Sequence, residues 1–503
     1  MSYHDDAFVE RGWRLVVIVG CVSIAAVMQF LDSTIVNVAL PVIAGNLGAT
    51  FDQIGWVVTA YSLAAISVIP LTGWLAIRYG RRRYFVTSIV CFTAASALCG
   101  LSHTLGSLLA ARVLQGLAGG GLVATSQAIL VSTLPRQRQA AAQGIFAMIA
   151  VVGPALGPTL GGWLTDNFSW PLIFFINLPI GVAAAIVLGL MLRESPTVKR
   201  PVDVTGIVLL VSGLACLQYF LERGESKQWF DAPGIALAAA WAAVALVAFV
   251  IHTLRAAHPV LELRVLRHRN LAVGAVLSLA VGANLFGFLF LLPLYLQNLL
   301  GFTATLTGLM VLIRAAATAV LTPFATIALQ RRLVEPRAMA GVGFAFLTLG
   351  TYDVARNVTS GSGAENFVWA MIFTGVAFAL LWTPLALISL RSLPGSEIGY
   401  GAAIFNLSVQ IGGSVGIAFV TTAQDRRLAY WWETVASNVT LGRTAVAQLV
   451  QRYGLTHTLL LRLNGLVEQQ AYALTYRDLF LMLTVPVAVA IPLVLFARRM
   501  NAG

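Results

Sequence analysis

Fourteen stretches of this chain stay apolar for roughly 20 residues each. A helix needs about that length to cross the hydrocarbon core of a bilayer. They lie at about 15–40, 55–76, 84–102, 106–133, 140–163, 171–192, 204–221, 233–253, 270–293, 305–328, 338–356, 366–390, 400–422 and 477–497. Inside lipid every backbone N–H and C=O must be satisfied within the structure, which leaves helices and closed barrels. The runs are continuous and do not alternate with polar residues, so they are expected to be helices. The first is too long for a cleaved signal peptide, and no small-residue cleavage site follows it. Composition agrees. Apolar residues make up 58% and charged residues 10% of the 503, where a globular protein carries about 25% charged. That excludes a soluble enzyme, a disordered chain and a secreted disulfide scaffold. The four cysteines (Cys21, Cys91, Cys99, Cys216) all fall inside apolar runs, as reduced buried thiols do.

The net charge of +12 is not a nucleic-acid signature. Only Lys199 and Lys227 are lysines; the other basic residues are arginines, mostly clustered between apolar runs. Arg78, Arg81, Arg82, Arg83, Arg136, Arg138, Arg331, Arg332, Arg498 and Arg499 all fall on one side if the N-terminus is inside. Short cytoplasmic loops carry the positive charge. Both termini are therefore expected in the cytoplasm.

The two halves of the sequence match. Asp32, Pro41 and Asn46 fall 252 residues before Asn284, Pro293 and Asn298. Gly48, Gly55, Pro70 and Arg78 fall 253 before Gly301, Gly308, Pro323 and Arg331. Gly116, Pro135, Phe146, Gly153 and Gly157 fall 259 before Gly375, Pro394, Phe405, Gly412 and Gly416. An ordered series with nearly constant offset is a repeat. Span one thus matches nine, two matches ten, four matches twelve and five matches thirteen. The expected organisation is an N-terminal six-helix bundle (1–200), an inserted two-helix hairpin (201–260), and a C-terminal six-helix bundle (261–503) with a long outer loop, 423–476. Parallel six-span halves describe a rocking secondary transporter with its site between them, near midplane.

Asp32 sits about eight residues from the outer end of the first span, roughly 12 Å deep. A carboxylate there must face a cavity or a partner. It is a proton carrier or an interhelical hydrogen-bond acceptor. Arg112 in span four lies at similar depth; either it faces Asp32 and holds it ionised, or it is a buried arginine satisfied by backbone carbonyls. Arg314 in span ten has no sequence partner; it meets an anionic group, either protein or substrate, or it snorkels or pairs with a residue the sequence does not reveal. Asn37, Gln115, Asn284 and Arg314 are the candidate cavity residues. Gly153, Gly157 and Gly161, with Pro154, Pro158 and Gly162, form a small-residue, proline-bent helix suited to close packing; Gly412 and Gly416 repeat it more weakly. Gly73, Arg78, Gly80 and Arg81 lie in the basic turn GWLAIRYGRRR, either a topology anchor or a latch. Leu455–Gln470 carries an uneven helical stripe, so two short outer helices are expected in 423–476, packed on the transporter or docking a partner.

Several chemistries are missing from the sequence. There is no Gly-Lys-Ser/Thr phosphate loop, no metal-ligand spacing of His, Cys or Glu, and no Ser–His–Asp elbow. No cofactor is expected, the proton gradient being the energy source.

The sequence resembles the major facilitator superfamily, and within it the EmrB/QacA-type fourteen-span drug/proton antiporters. The carriers are LDSTIVNVALP (Leu31–Pro41), GWLAIRYGRRR (Gly73–Arg83), RVLQG (Arg112–Gly116), GPALGPTLGG (Gly153–Gly162) and SWPLIFFINLPIG (Ser169–Gly181). The resemblance implies an all-α membrane fold, alternating access and efflux driven by inward proton movement. It implies proton-coupling roles for Asp32 and Arg112. It also implies a bacterial inner membrane, with a periplasmic adaptor and outer-membrane channel in a Gram-negative host. Three positions depart from the family pattern. Ile77 replaces the aspartate of the basic turn. Val409 stands where many relatives have arginine, and Arg314 where they are apolar or small. Basic charge is read as having moved from span thirteen to span ten.

The expected function is proton-coupled export of lipophilic compounds. Asp32 is set against Arg112 and Arg314, with Glu222 near an outer end. That balance favours weak acids or neutral amphiphiles over quaternary cations. A dedicated exporter of one metabolite, lipid or siderophore is the alternative; a non-transporting sensor or assembly subunit is a third, and a membrane enzyme the least supported.

Overall fold

The computed structural model describes residues 13–134, 136–198, 201–395, 397–440, 443–453 and 456–498. It is all helical. The first half holds α1 (Trp13–Leu47), α2 (Trp56–Tyr79), α3 (Arg81–Gly100), α4 (Leu105–Val131), α5 (Arg136–Asn167) and α6 (Leu172–Met191). The inserted hairpin is α7 (Val204–Arg223) and α8 (Pro233–Arg255). The second half holds α9 (Arg269–Leu299), α10 (Ala304–Gln330), α11 (Pro336–Asn357), α12 (Val368–Leu390), α13 (Ile398–Ala436), the short α14 (Thr444–Tyr453) and α15 (His457–Leu493). Thirteen of the described helices are long and apolar enough to cross a membrane. The 32-residue α5, packed along α1, brings the bundle to the expected fourteen.

Local chemistry starts and stops these helices. Thr104 caps α4 in a capping box with Ser107, and Thr303, Asp203 and Thr456 cap α10, α7 and α15. Each supplies an oxygen to a backbone N–H that the first turn leaves unpaired. Pro233 and Pro336 begin α8 and α11, where no N–H is needed. Gly48 (φ +62°) and Gly301 (φ +69°) make the same left-handed turn after α1 and after α9. They are repeat partners in the sequence.

The repeat extends to packing. A Cβ on Gly116 would strike the carbonyl oxygen of Tyr61, so α4 lies on α2; one on Gly375 would strike that of Arg314, so α12 lies on α10. Gly157 and Gly161 press α5 against Thr34 and Ile35 of α1. Gly412 and Gly416 press α13 against Leu279 and Ala283 of α9, and Gly282 returns the contact on Val409. The second small-residue seam is therefore as tight as the first, not weaker as its sequence suggests. The side chain of Pro158 lies outside the described residues.

The halves meet reciprocally: α5 packs on α10 and α12, while α13 packs on α2 and α4. Three close contacts join them toward the end where the arginine turns lie, called here the basic end. Gly73 meets the backbone of Gly399 and Tyr400. Gly144 meets Thr326 and Thr322. Asn406 Nδ2 donates to Gln127 Oε1 at 2.6 Å.

At the opposite, distal end the outcome differs from expectation. Residues 423–436 continue α13 as helix, and α15 begins at His457, before its apolar stretch. Trp431 Nε1 donates to Asp478 at 2.9 Å, and Arg427 and Arg477 sit by the same carboxylate. Two helices of 39 and 37 residues, each longer than a bilayer crossing needs, are thus joined through α14, where a loop with two short helices was expected. Gly454 and Leu455 lie outside the described residues.

Candidate functional site

The first half buries an ion pair. Asp32 on α1 is 0% exposed and Arg112 on α4 is 1% exposed. Arg112 Nη1 donates to Asp32 Oδ2 at 2.7 Å and to Gln115 Oε1 at 2.7 Å, while its Nε donates to the Val57 carbonyl at 3.1 Å. Asp32 Oδ1 accepts from Gln115 Nε2 at 2.8 Å and from Asn177 Nδ2 at 3.3 Å. Ser96 ties Gln115 and Asn177 together, receiving bonds at 3.2 and 3.1 Å. The guanidinium also lies over the Tyr61 ring at 4.2 Å. Taking two charges out of water costs several kcal/mol per ion, offset only where the remaining lone pairs and protons find partners. Here α1, α2, α3, α4 and α6 all contribute one.

Sequence spacing foresaw the Asp32–Arg112 pair. It did not place the shell. Gln115, expected in the cavity, is buried in this network. Asn177, in the Ser169–Gly181 segment, and Ser96 were not singled out; a lone Asn in an apolar run was the available signal for the first. Asn37 lies exposed on α1, five residues past Asp32 and outside the network.

The second half has the same scaffold with different chemistry. Asn284, the partner of Asp32, is 1% exposed and donates to Thr351 Oγ1 at 3.1 Å. The partner of Arg112 (112 + 259) is the fully buried Met371. Arg314 stands at the position of Tyr61 (61 + 253). It is 2% exposed, flanked by Phe378 at 4.5 Å and Phe288 at 5.3 Å, and none of its three nitrogens has a hydrogen-bond acceptor.

Between the halves is a cavity of about 40 Å³. Gln29, Phe30 and Pro154 line one side; Leu285, Phe286, Trp382, Asn406 and Val409 line the other. A site for a drug-sized ligand needs several hundred Å³, whereas this volume has room for a few waters.

At the basic end Glu194, in the segment after α6, caps α3. Its carboxylate accepts from the N–H of Arg82 at 3.1 Å and of Arg83 at 3.3 Å. The N–H of Arg81 donates to Ser195 Oγ at 2.9 Å. An anion at a helix N-terminus is favourable. Gly80 makes the turn at φ +90°, with Glu194 where a Cβ would point. Arg78 lies by the Trp74 and Tyr79 rings, at 5.5 and 5.7 Å. The acid that Ile77 does not supply thus comes from Glu194, 117 residues later (194 − 77).

The hairpin is wired to both halves. Gln218 donates to Glu222 at 2.6 Å and accepts from Ser414 of α13 at 2.9 Å. Thr59 and Ser62 of α2 lie beside the Glu222 carboxylate. In the following loop Glu225 meets Asp425 of α13. The shared hydrogen bond, then burial, then repulsion from Asp425 push its carboxyl up to about 7. On the basic side Asp203 is pushed up by burial, but bonds from the Gly206 N–H, His252 and the Val260 N–H outweigh that and hold it below the usual carboxylate range.

Residues 22–417 match the model of the Major Facilitator Superfamily. The chain belongs to that superfamily. It is 35% identical to the multidrug export protein EmrB of Haemophilus influenzae over 416 residues, 82% of this chain and 81% of that one. It is 34% identical to the fatty acid resistance protein FarB of Neisseria gonorrhoeae over 498 residues, 97% of each. Among solved structures, the human organic anion transporter MFSD10 superposes with a TM-score of 0.62 at 16% identity, covering 95% of this chain and 100% of that one. The xylose symporter XylE superposes at 0.57 with 13% identity, covering 96% and 95%. At such identities they establish the fold. The protein is a multi-pass membrane transporter of this superfamily, related to the EmrB exporters, and not an enzyme.

Proposed function

We propose that the protein is a proton-coupled exporter of lipophilic compounds. It lies in a bacterial inner membrane with the basic end and both termini cytoplasmic. The observation that carries this is the Asp32–Arg112 pair, buried inside the first half with both carboxylate oxygens of Asp32 bonded. A proton arriving on Asp32 neutralises one member of the pair. Arg112 then stands as an uncompensated buried charge, and the arrangement of α1 against α4 that suited the ion pair no longer does. A ligand or proton shifts a conformational equilibrium only through such a difference between states. The contacts Gly73–Gly399 and Gln127–Asn406 close the cytoplasmic side, so this state awaits protonation from outside and re-opening inward.

The names of the relatives, a multidrug export protein and a fatty acid resistance protein, support this reading. In a host with an outer membrane, an adaptor and an outer-membrane channel complete the path, with the projecting ends of α13 and α15 as their contact.

The test is reconstitution in vesicles with an imposed pH gradient. Uptake of a lipophilic weak acid and of a lipophilic cation is followed for wild type and Asp32→Asn. The expected result is gradient-driven movement of the weak acid, lost in the variant. A variant that transports as well as wild type would remove Asp32 from proton coupling. Movement of neither probe, with one metabolite accumulating in a deletion strain, would favour the dedicated exporter.

A further inference from the structure

We propose that Arg314 and Trp382 form an anion-binding subsite, and that it takes the carboxylate head of an amphiphile bound in its deprotonated form. This rests on the export reading and adds to it the ligand's charge and the groups that hold it.

A buried charge without a partner is costly, and breaking a buried pair by removing one member is strongly destabilising. Arg112 meets that cost with Asp32, Gln115 and a carbonyl. Arg314 does not. Its Nε, Nη1 and Nη2 are all buried and none has an acceptor. The flanking rings of Phe288 and Phe378 attract a cation through their faces, yet they offer no lone pair. Nor does the surrounding chain supply a carboxylate. Helices α9, α10 and α12 contain no Asp or Glu. Asp353 lies near the distal end of α11, and Asp478 already serves Trp431, Arg427 and Arg477. The missing acceptor is therefore expected from outside the chain.

The position of Arg314 ties it to the cavity. Trp382 lines the cavity, is 3% exposed, and its Nε1 is a second buried donor without an acceptor. Phe378 lies four residues before Trp382, one turn further toward the distal end. On α9, Leu285 and Phe286 line the cavity, and Phe288 is again further on the same side. The two rings that hold Arg314 thus stand about 3 to 6 Å along the helix axes beyond the cavity-lining residues of α9 and α12. Arg314 and Trp382 together offer several unused N–H donors, beside the unpartnered Asn284 Oδ1 and Thr383 Oγ1. A carboxylate is an acceptor only and matches the planar guanidinium fork. Phe30, Leu285, Phe286 and Val123 supply apolar wall for a tail.

The resulting division of labour is specific. The first half holds the proton on Asp32; the second half holds the substrate's negative charge on Arg314. One anion entering the site would discharge the buried guanidinium while leaving the Asp32 network intact.

Equilibrium binding tests this apart from transport. Radiolabelled decanoate and decanamide, the same chain with and without charge, are titrated onto the full-length protein in nanodiscs at pH 7.5. Wild type is expected to bind decanoate more tightly. Arg314→Gln should weaken decanoate about 10- to 100-fold, the range of a hydrogen bond to a charged group, and leave decanamide unchanged. Trp382→Phe should weaken decanoate by a smaller factor. Equal wild-type affinity for the two probes, no decanoate binding, or unchanged decanoate affinity in Arg314→Gln would each overturn the subsite. Should Arg314→Gln fail to fold, the wild-type comparison and Trp382→Phe still decide. Discrimination in binding without gradient-driven movement of any compound would keep the subsite and sink the export reading. Gradient-driven export without discrimination would do the reverse.

Discussion

The two halves share a scaffold and differ in how they treat one buried arginine. In the first, Arg112 faces Asp32 within a shell of Gln115, Asn177 and Ser96. In the second, Met371 and Asn284 occupy the matching places, and the arginine appears instead at the position of Tyr61. The close helix contacts, Gly116 on Tyr61 and Gly375 on Arg314, are retained. Packing is thus the part of the repeat that both copies keep, and charge is the part that has diverged. A duplicated bundle can keep its shape and still assign each half a different task.

That contrast can be broken most directly through stability. Arg112→Gln strands a buried carboxylate and should cost about 3–5 kcal/mol. Arg314→Met removes a buried charge that has no partner and should raise the melting temperature in the absence of ligand. Thermal unfolding in nanodiscs reads both. If both variants lose stability alike, Arg314 has an internal counter-charge and the contrast fails. The shared part is probed by size. Gly157→Leu and Gly416→Leu each force a side chain into a neighbouring helix, and each should cost about 1–3 kcal/mol. A loss confined to the first half would show that the second seam is not equivalent.

The smallest effect concerns the hairpin, which neither half duplicates. The Glu225 carboxyl is raised to about 7 against Asp425. Its protonated form is the one the folded contact favours. The contact is therefore complete at low pH and weakens as pH rises through about 7; being near the surface, it is worth less than about 1 kcal/mol. Cleavage after Lys227 by a lysine-specific protease should speed up between pH 6 and 8 in wild type. Relative to it, Glu225→Gln should show a flatter profile. Identical profiles would remove Glu225 from the attachment.

The fold was legible because lipid imposes length and apolarity on every crossing segment, and because offsets between matched residues survive in the sequence. The pairing of Asp32 with Arg112 was legible from depth alone. Gln115 and Asn37 were read only as cavity residues; depth along a helix says nothing about which face a residue takes, and the structure puts Gln115 in the Asp32 network and leaves Asn37 exposed outside it. Glu194 was invisible for another reason: it caps a helix from the far end of the half, and a single sequence gives no sign of that return. The long ends of α13 and α15 were missed because hydropathy marks where the bilayer stops, not where a helix stops. Residues 423–436 are largely good helix formers and need no membrane to continue.

That continuity has a mechanical consequence. Helix α13 runs 39 residues without interruption, about 58 Å. It touches the first half at Asn406, about 12 Å from its basic end, and extends about 45 Å beyond that point. Pivoted there, it is a lever with arms of about one to four. A shift of 1 Å where Tyr400 passes Gly73, about 9 Å from the pivot, becomes about 5 Å at Ala436. Whatever rests on that tip receives each turn of the transport cycle as a stroke.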